Sequence, residues 1–290
     1  MSTHSISNTN ISVSVNSFGA ELTSLKKGDT EFLWQSDKTI WPRYAPVLFP
    51  IVGKLKEDHF IFNGEKYSLP QHGFARDKEF ALIGKSENEL EFELTADEET
   101  LKNYPFHFSF RIRYELKDAG LSIKYLVFNP DKKDLLFSVG AHPGFSCKRT
   151  GGESLNDFYI KFENTKELTI EKLNNGLLSG ETSVIKPDSG KLSLNTKLFE
   201  NDALVFKNNQ INKVVLGSNE FKEKIVLNCK GWPYFGIWTK KGSDAFVCLE
   251  PWYGIADQVN SSNDLAKKEG IIRLSSHQSF EAEFNIEIKN

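Results

Sequence analysis

Three short stretches of this sequence set a titratable side chain beside glycine and proline at the end of an apolar run. "LPQHGFARDKEF" carries His72 and Arg76, "FSVGAHPGFSC" carries His142, and "FVCLEPWYGIADQ" carries Glu250. Carboxylate and imidazole groups take up and release protons near neutral pH, which suits them to general acid–base chemistry. Glycine lets a ligand or another segment approach the backbone closely. Proline ends sheet pairing, so Pro251 is expected to stop the strand just after Glu250. A side chain at such a strand end projects into a cleft from a rigid base. Each stretch also has a plainer reading. A histidine near glycine and proline often serves as a structural hydrogen-bonding group, and "PWY" often packs as a corner. The stretches lie far apart in sequence, so spacing alone leaves open whether they meet.

Other chemistries fit the sequence less well. It contains no HExxH, no CxxC pair and no His/Cys cluster at metal-ligand spacing. It has neither a GxGxxG nor a GxxxxGK[ST] phosphate loop, and no GxSxG nucleophile elbow. Cys147 and Cys248 lie near the candidate stretches, but cysteine in an apolar run is usually inert core.

The elements that must position these residues read mostly as strands. Apolar and polar residues alternate over 11–15, 89–96, 106–116 and 121–129, and around Asn63-Gly64, a hairpin signal. Further candidate strands are 135–139, 158–162, 168–173, 203–206, 213–216, 224–229, 235–238, 245–249 and 280–288. Runs of this length separated by turn residues predict a sandwich or barrel rather than βα units. Helix is expected only at 96–104, with Asp97 as N-cap, and at 262–269. "KRTGGESLND" (148–157) reads as a surface loop.

With 290 residues, 39% hydrophobic and 26% charged, the chain has ample material for a large core. No linker or repeat divides it, and residues 1–290 are expected to form one domain. A net charge of −3 points to neither nucleic acid nor an anionic membrane as partner. Three scattered cysteines argue against a disulfide framework and for a reducing compartment. No run reaches the roughly 20 apolar residues of a spanning helix, and "MSTHSISNTN" lacks an apolar signal core. The expectation is a soluble cytoplasmic protein.

Taken together, the stretches resemble the aldose 1-epimerase (mutarotase) family. The resemblance runs in order through "FGAELTSLKKGDTEFLW", "PVLFPIVGKL", "FNGEKYSLPQHGFARD", "AHPGF", "LFENDALVF" and "CLEPWYGIAD", nearly the whole chain. The forms "HGFAR" and "AHPGF" look closer to the hexose-6-phosphate mutarotase and lactose-operon mutarotase-like branches than to galactose mutarotases. The resemblance implies an all-β fold, a large antiparallel β-sandwich with a sugar cleft and few short helices. It implies interconversion of the α and β anomers of a hexose or hexose phosphate by acid/base ring opening at C1, with no cofactor or metal. Carried over, the base falls on Glu250 and the acid on His142. His72 binds near the ring oxygen, and Asp202 matches the sugar-binding aspartate. Where galactose mutarotases carry an arginine, this chain has Lys54; Arg43 or Arg76 could supply the guanidinium instead. Trp252 or Tyr253 could offer an apolar face to the sugar. A carboxylate beside His142 would favour the imidazolium, giving a bell-shaped rate profile that rises as Glu250 ionises and falls as His142 loses its proton. The alternative is a non-catalytic carbohydrate-binding or sugar-sensing protein on the same fold. A glycoside hydrolase would need a second carboxylate as well marked as Glu250.

Overall fold

The computed structural model describes residues 2–163 and 166–290. Every strand ladder among them is antiparallel; only isolated bridges are parallel. The expected sandwich is present. A nine-stranded sheet contains the alternating runs Glu89–Thr95, Ser109–Lys117, Gly120–Phe128 and Ser279–Lys289. An eight-stranded sheet contains Val47–Leu48, Val139–Ala141, Gly144–Ser146, Leu204–Phe206, Tyr234–Trp238 and Phe246–Tyr253. Period-two alternation decides how they stack. Phe110, Ile112, Tyr125 and Phe284 of the first sheet join Val139, Phe235, Ile237, Val247 and Leu249 of the second in one buried cluster. That cluster reaches from Ile6 to Ile288. Asn63 and Gly64 both take positive φ, 51° and 84°, and turn His59–Phe62 back onto Glu65–Ser68 as the hairpin signal requires.

Helix is scarce, as expected. Glu98–Asn103 forms one short α-helix whose N-cap Asp97 accepts from the Thr100 N–H in a capping box. The second expected helix, 262–269, is reduced to the 3₁₀ turn Leu265–Lys267. The stretch has too few apolar residues at helical spacing to bury a face, and a single turn satisfies its backbone. The strand Leu177–Ile185, absent from the sequence reading, pairs along Leu168–Asn174 at the sheet edge. Its serines, threonine and mid-strand glycine give no apolar alternation.

The expectation for Pro251 is corrected. The strand Phe246–Tyr253 runs straight through it, with Pro251 opposite Phe235. On the other side of this strand, Gly144–Ser146 pairs with its start and Val139–Ala141 with its end. The chain breaks register between them at His142-Pro143. Leu249 donates its N–H to the Pro143 carbonyl there at 3.2 Å. Backbone direction alternates along a strand, so residue 251 faces the same broken edge, where a missing N–H leaves no ladder bond unmade. That break is also what lets His142 leave the sheet plane.

Candidate active site

The site lies on the face of the eight-stranded sheet opposite the shared core. Along Phe246–Tyr253, Val247 and Leu249 enter that core, whereas Phe246 and Cys248 pack with Trp34, and Trp252 with Leu48 and Val52. Glu250 shares the parity of Cys248 and Trp252, so its side chain stands on this second face. His142, Glu250, Asp202, His72, Arg76 and Trp252 all line one cavity of about 250 Å³. The three stretches singled out by chemistry therefore meet.

Trp252 lies flat across the sheet because its neighbours lack side chains. A Cβ on Gly236 would stand 2.4 Å from the indole, and one on Gly140 2.7 Å from it. A Gly236→Ala variant is accordingly expected to push Trp252 toward the cavity. Overpacking of this kind costs about 1–3 kcal/mol. Urea unfolding and tryptophan fluorescence check this; an unchanged midpoint and spectrum would contradict it.

His142 Nε2 stands 3.2 Å from Glu250 Oε2, with the two residues 8% and 1% exposed. Burial drives both groups toward neutrality. It raises the Glu250 carboxyl well above its usual range, reinforced by the nearby charge of Asp202. It pulls His142 down to about 3 despite a contact with the ring's own backbone carbonyl that favours the charged form, and Arg76 and Arg43 add to the fall. The expectation that Glu250 would hold an imidazolium beside it is thus reversed, because a protonated carboxyl supplies no charge. Both shifts favour the neutral pair, in which the shared proton rests on Glu250 and Nε2 is left to accept across the 3.2 Å contact. The ring hydrogen is then on Nδ1, which is buried without a hydrogen-bond partner. The Trp252 indole lies close enough to favour the Glu250 carboxylate, yet its N–H makes no well-formed hydrogen bond.

His72 is held differently. It takes a left-handed φ of 69° in the turn before Gly73. Its N–H donates to the Gly53 carbonyl at 2.9 Å, and its Nδ1 accepts the Gly53 N–H at 3.2 Å. Accepting at Nδ1 leaves the hydrogen of the neutral ring on Nε2. Burial, then the charges of His142 and Arg76, keep its pKa well below the ordinary value. His72 is therefore held as a neutral donor at Nε2, which stands 3.3 Å from the Gln71 side-chain amide, and burial disfavours its charged form.

Of the three cations, only Arg76 lines the cavity. Its Nη2 donates to the Gln71 carbonyl at 2.6 Å, while its buried Nε lacks a hydrogen-bond partner. Burial and Arg43 lower its pKa to about 10. Arg43 stands behind it, 2.8 Å from Asp77, and Lys54 lies against Gly176 outside the lining. Asp202 adopts φ 85° just before Leu204–Phe206, its Oδ1 accepting the Ala203 N–H at 2.8 Å. Burial raises its pKa. The wall at Ile255 and Ala256 is fixed from below. Buried Lys268 donates to the Ile255 carbonyl and sits 3.1 Å from Asp257, which accepts the Lys56 N–H at 3.0 Å.

Trp41, Trp238 and Gln71 also line the cavity, and sequence reasoning missed all three. Trp238 ends a recognised strand and shares the parity of Gly236, a signal available once that strand's outer face is known. Trp41 lies in a loop with no motif. Among the described residues, one set of possible metal ligands clusters, His142, Cys248 and Glu250, with donor atoms within 4.8 Å. Burial raises the Cys248 thiol well above its usual value, which disfavours the thiolate a metal would need.

The arrangement provides one shared proton in a cavity with a fixed donor, a cation and indole faces. The aldose 1-epimerase family model matches residues 2–286. The chain is 28% identical to the plasmid-encoded protein LacX of Lactococcus lactis subsp. lactis, over 98% of this chain and 99% of that one. The structure of a galactose mutarotase related enzyme from Lactobacillus acidophilus superposes with a TM-score of 0.95 at 36% identity, covering 100% of this chain and 98% of that one. A galactose mutarotase-like protein from Lactobacillus casei ATCC 334 gives 0.92 at 30% identity, covering 99% and 100%. The fold, the site and a match across nearly its whole length agree: the chain belongs to the aldose 1-epimerase family, isomerases of the mutarotase type.

Proposed function

We propose that the cavity interconverts the α and β anomers of a hexose or hexose 6-phosphate, with Glu250 as base and His142 as acid. The contact of 3.2 Å between them carries this reading. The hydroxyl and ring oxygens that exchange protons in a hemiacetal sit on the same carbon, so the groups serving them must themselves be neighbours. The reactive arrangement, Glu250 carboxylate and His142 imidazolium, is the resting pair with its proton moved across that contact. Glu250 takes the C1 hydroxyl proton as the C1–ring oxygen bond breaks, and His142 gives its proton to the ring oxygen. The open-chain aldehyde turns about C1–C2. Closure on the other carbonyl face returns the ring-oxygen proton to His142 and the Glu250 proton to the new C1 hydroxyl. His72 donates to the sugar beside the ring oxygen, Asp202 accepts from a hydroxyl, and Trp252 covers the apolar C–H face.

Arg76 is the cation placed to meet an anionic group, which favours a phosphorylated hexose. The relatives described as galactose mutarotase related or -like favour a free one. The main core cluster, reaching from Ile6 to Ile288, supports action as one domain, and three unpaired buried cysteines suit the cytoplasm. Polarimetry on freshly dissolved α-D-glucose, α-D-galactose and their 6-phosphates tests the reading. At least one is expected to equilibrate faster than in buffer. Binding of a sugar without any acceleration would instead identify a sugar-binding protein.

A further inference from the structure

We infer that Trp41 is a positioning residue that aims the His142 imidazole at Glu250 and supports its charged form during proton transfer; this rests on the acid role proposed above. Catalytic histidines are commonly oriented by a hydrogen bond at the ring nitrogen that does not meet the substrate. His142 lacks a well-formed one: its buried Nδ1 has only the ring's own backbone carbonyl near it, poorly aligned. Aromatic rings hold it instead. Trp41 stacks on it at 5.1 Å and 29°, while Trp238 and His72 meet it edge-on at 5.5 Å and 5.6 Å.

Trp41 is itself seated. It stacks on Phe246 at 5.2 Å and 6°, and its carbonyl accepts the Trp34 indole N–H at 2.9 Å. A Cβ on Gly144 would come within 2.8 Å of its ring, so this seat exists because residue 144 is glycine. The loop that brings it turns on Asp37, whose Oδ1 accepts the Thr39 N–H and hydroxyl at 2.7 Å and 2.6 Å.

The electrostatic part follows from what surrounds the ring. The ring's own backbone carbonyl favours an imidazolium, Arg76 and Arg43 oppose one, His72 does so if protonated, and Glu250 favours one only after losing its own proton. The negative π face of Trp41 favours the cation throughout, at a distance within the cation–π range. The stacked indole thus lowers the cost of moving the shared proton from Glu250 to His142.

The test is steady-state kinetics of Trp41→Leu and Trp41→Phe, read together with ¹⁵N shifts of the His142 ring. Trp41→Leu is expected to lower kcat about tenfold, the rate equivalent of one cation–π contact. KM should stay within about threefold, since the loss falls on the transition state. The pH at which the His142 shifts turn to those of the charged ring should fall in Trp41→Leu, and Trp41→Phe, which keeps a π face, should recover most of kcat. Trp41→Met fills the space without a ring if the leucine variant unfolds. An unchanged kcat and turning pH, a loss confined to KM, or a phenylalanine variant as impaired as leucine would each overturn the inference. His142→Asn measured alongside separates the failures. Parent-like turnover in that variant sinks the acid assignment itself. A defective His142→Asn with a normal Trp41→Leu sinks only the role of Trp41.

Discussion

A folded Glu250→Gln variant is expected to bind sugar and to lose anomer exchange by at least about 10²-fold. Glutamine keeps the size and hydrogen bonding of the buried side chain but cannot accept the C1 proton. The same substitution should leave the fold intact or strengthen it. An unfolded glutamate ionises near the ordinary value of 4.5, whereas burial keeps Glu250 protonated to well above that. Between those two values the native state binds a proton that the unfolded state has released, so this group makes the parent less stable as pH rises. Glutamine does not titrate. The melting temperature of the variant relative to the parent should therefore climb as pH increases through that window. Near-parent rates of anomer exchange in a folded variant would remove Glu250 from its role. A melting-temperature difference constant with pH would contradict the burial argument.

His142→Asn is expected to lower turnover by about 10²-fold and to change the pH profile in a specific way. Because burial raises Glu250 and lowers His142 to about 3, the singly protonated pair persists over a wide pH range. The parent rate should show a broad plateau. It falls on the acid side as the pair gains a second proton, near the lowered value of His142, and on the alkaline side as Glu250 gives up its own. This order is the reverse of the one expected from ordinary side-chain values. The asparagine variant should thus lose the acidic limb and keep the alkaline one. The limbs belong to the coupled pair, so the comparison of variants carries the assignment. His72→Asn should cost less, since an amide retains the donor that His72 presents from its fixed ring. If His72→Asn abolishes turnover while His142→Asn leaves rate and profile intact, the acid is the other histidine.

The sandwich was legible because most strands bury one face. Runs such as Ser109–Lys117 alternate buried and open positions, and that alternation is written in residue types. Leu177–Ile185 was not, because an exposed edge strand needs no apolar face. Pro251 misled for a related reason: whether a proline breaks a strand depends on what lies beside it, and here the neighbouring edge is already broken at His142-Pro143. In the site, Glu250, His142 and His72 stood out through the glycines and prolines around them. Trp41 did not, because its importance comes from a ring contact across about a hundred residues of sequence. The order of the two pKa values was equally hidden. Residue identity sets the ordinary values, but desolvation by the assembled sheet face reverses them.

The most direct measurement is magnetisation-exchange NMR at equilibrium on [1-¹³C]glucose, [1-¹³C]galactose and their 6-phosphates, with catalytic amounts of the protein. Exchange between α and β anomers changes no composition, so cross-peaks between the two C1 signals report the reaction itself. The proposed mechanism predicts exchange well above the buffer rate for at least one sugar, and its collapse to near that rate with Glu250→Gln. Exchange no faster than buffer for all four sugars, with line broadening that reports binding, would contradict it and leave a cavity that holds sugar without turning it over.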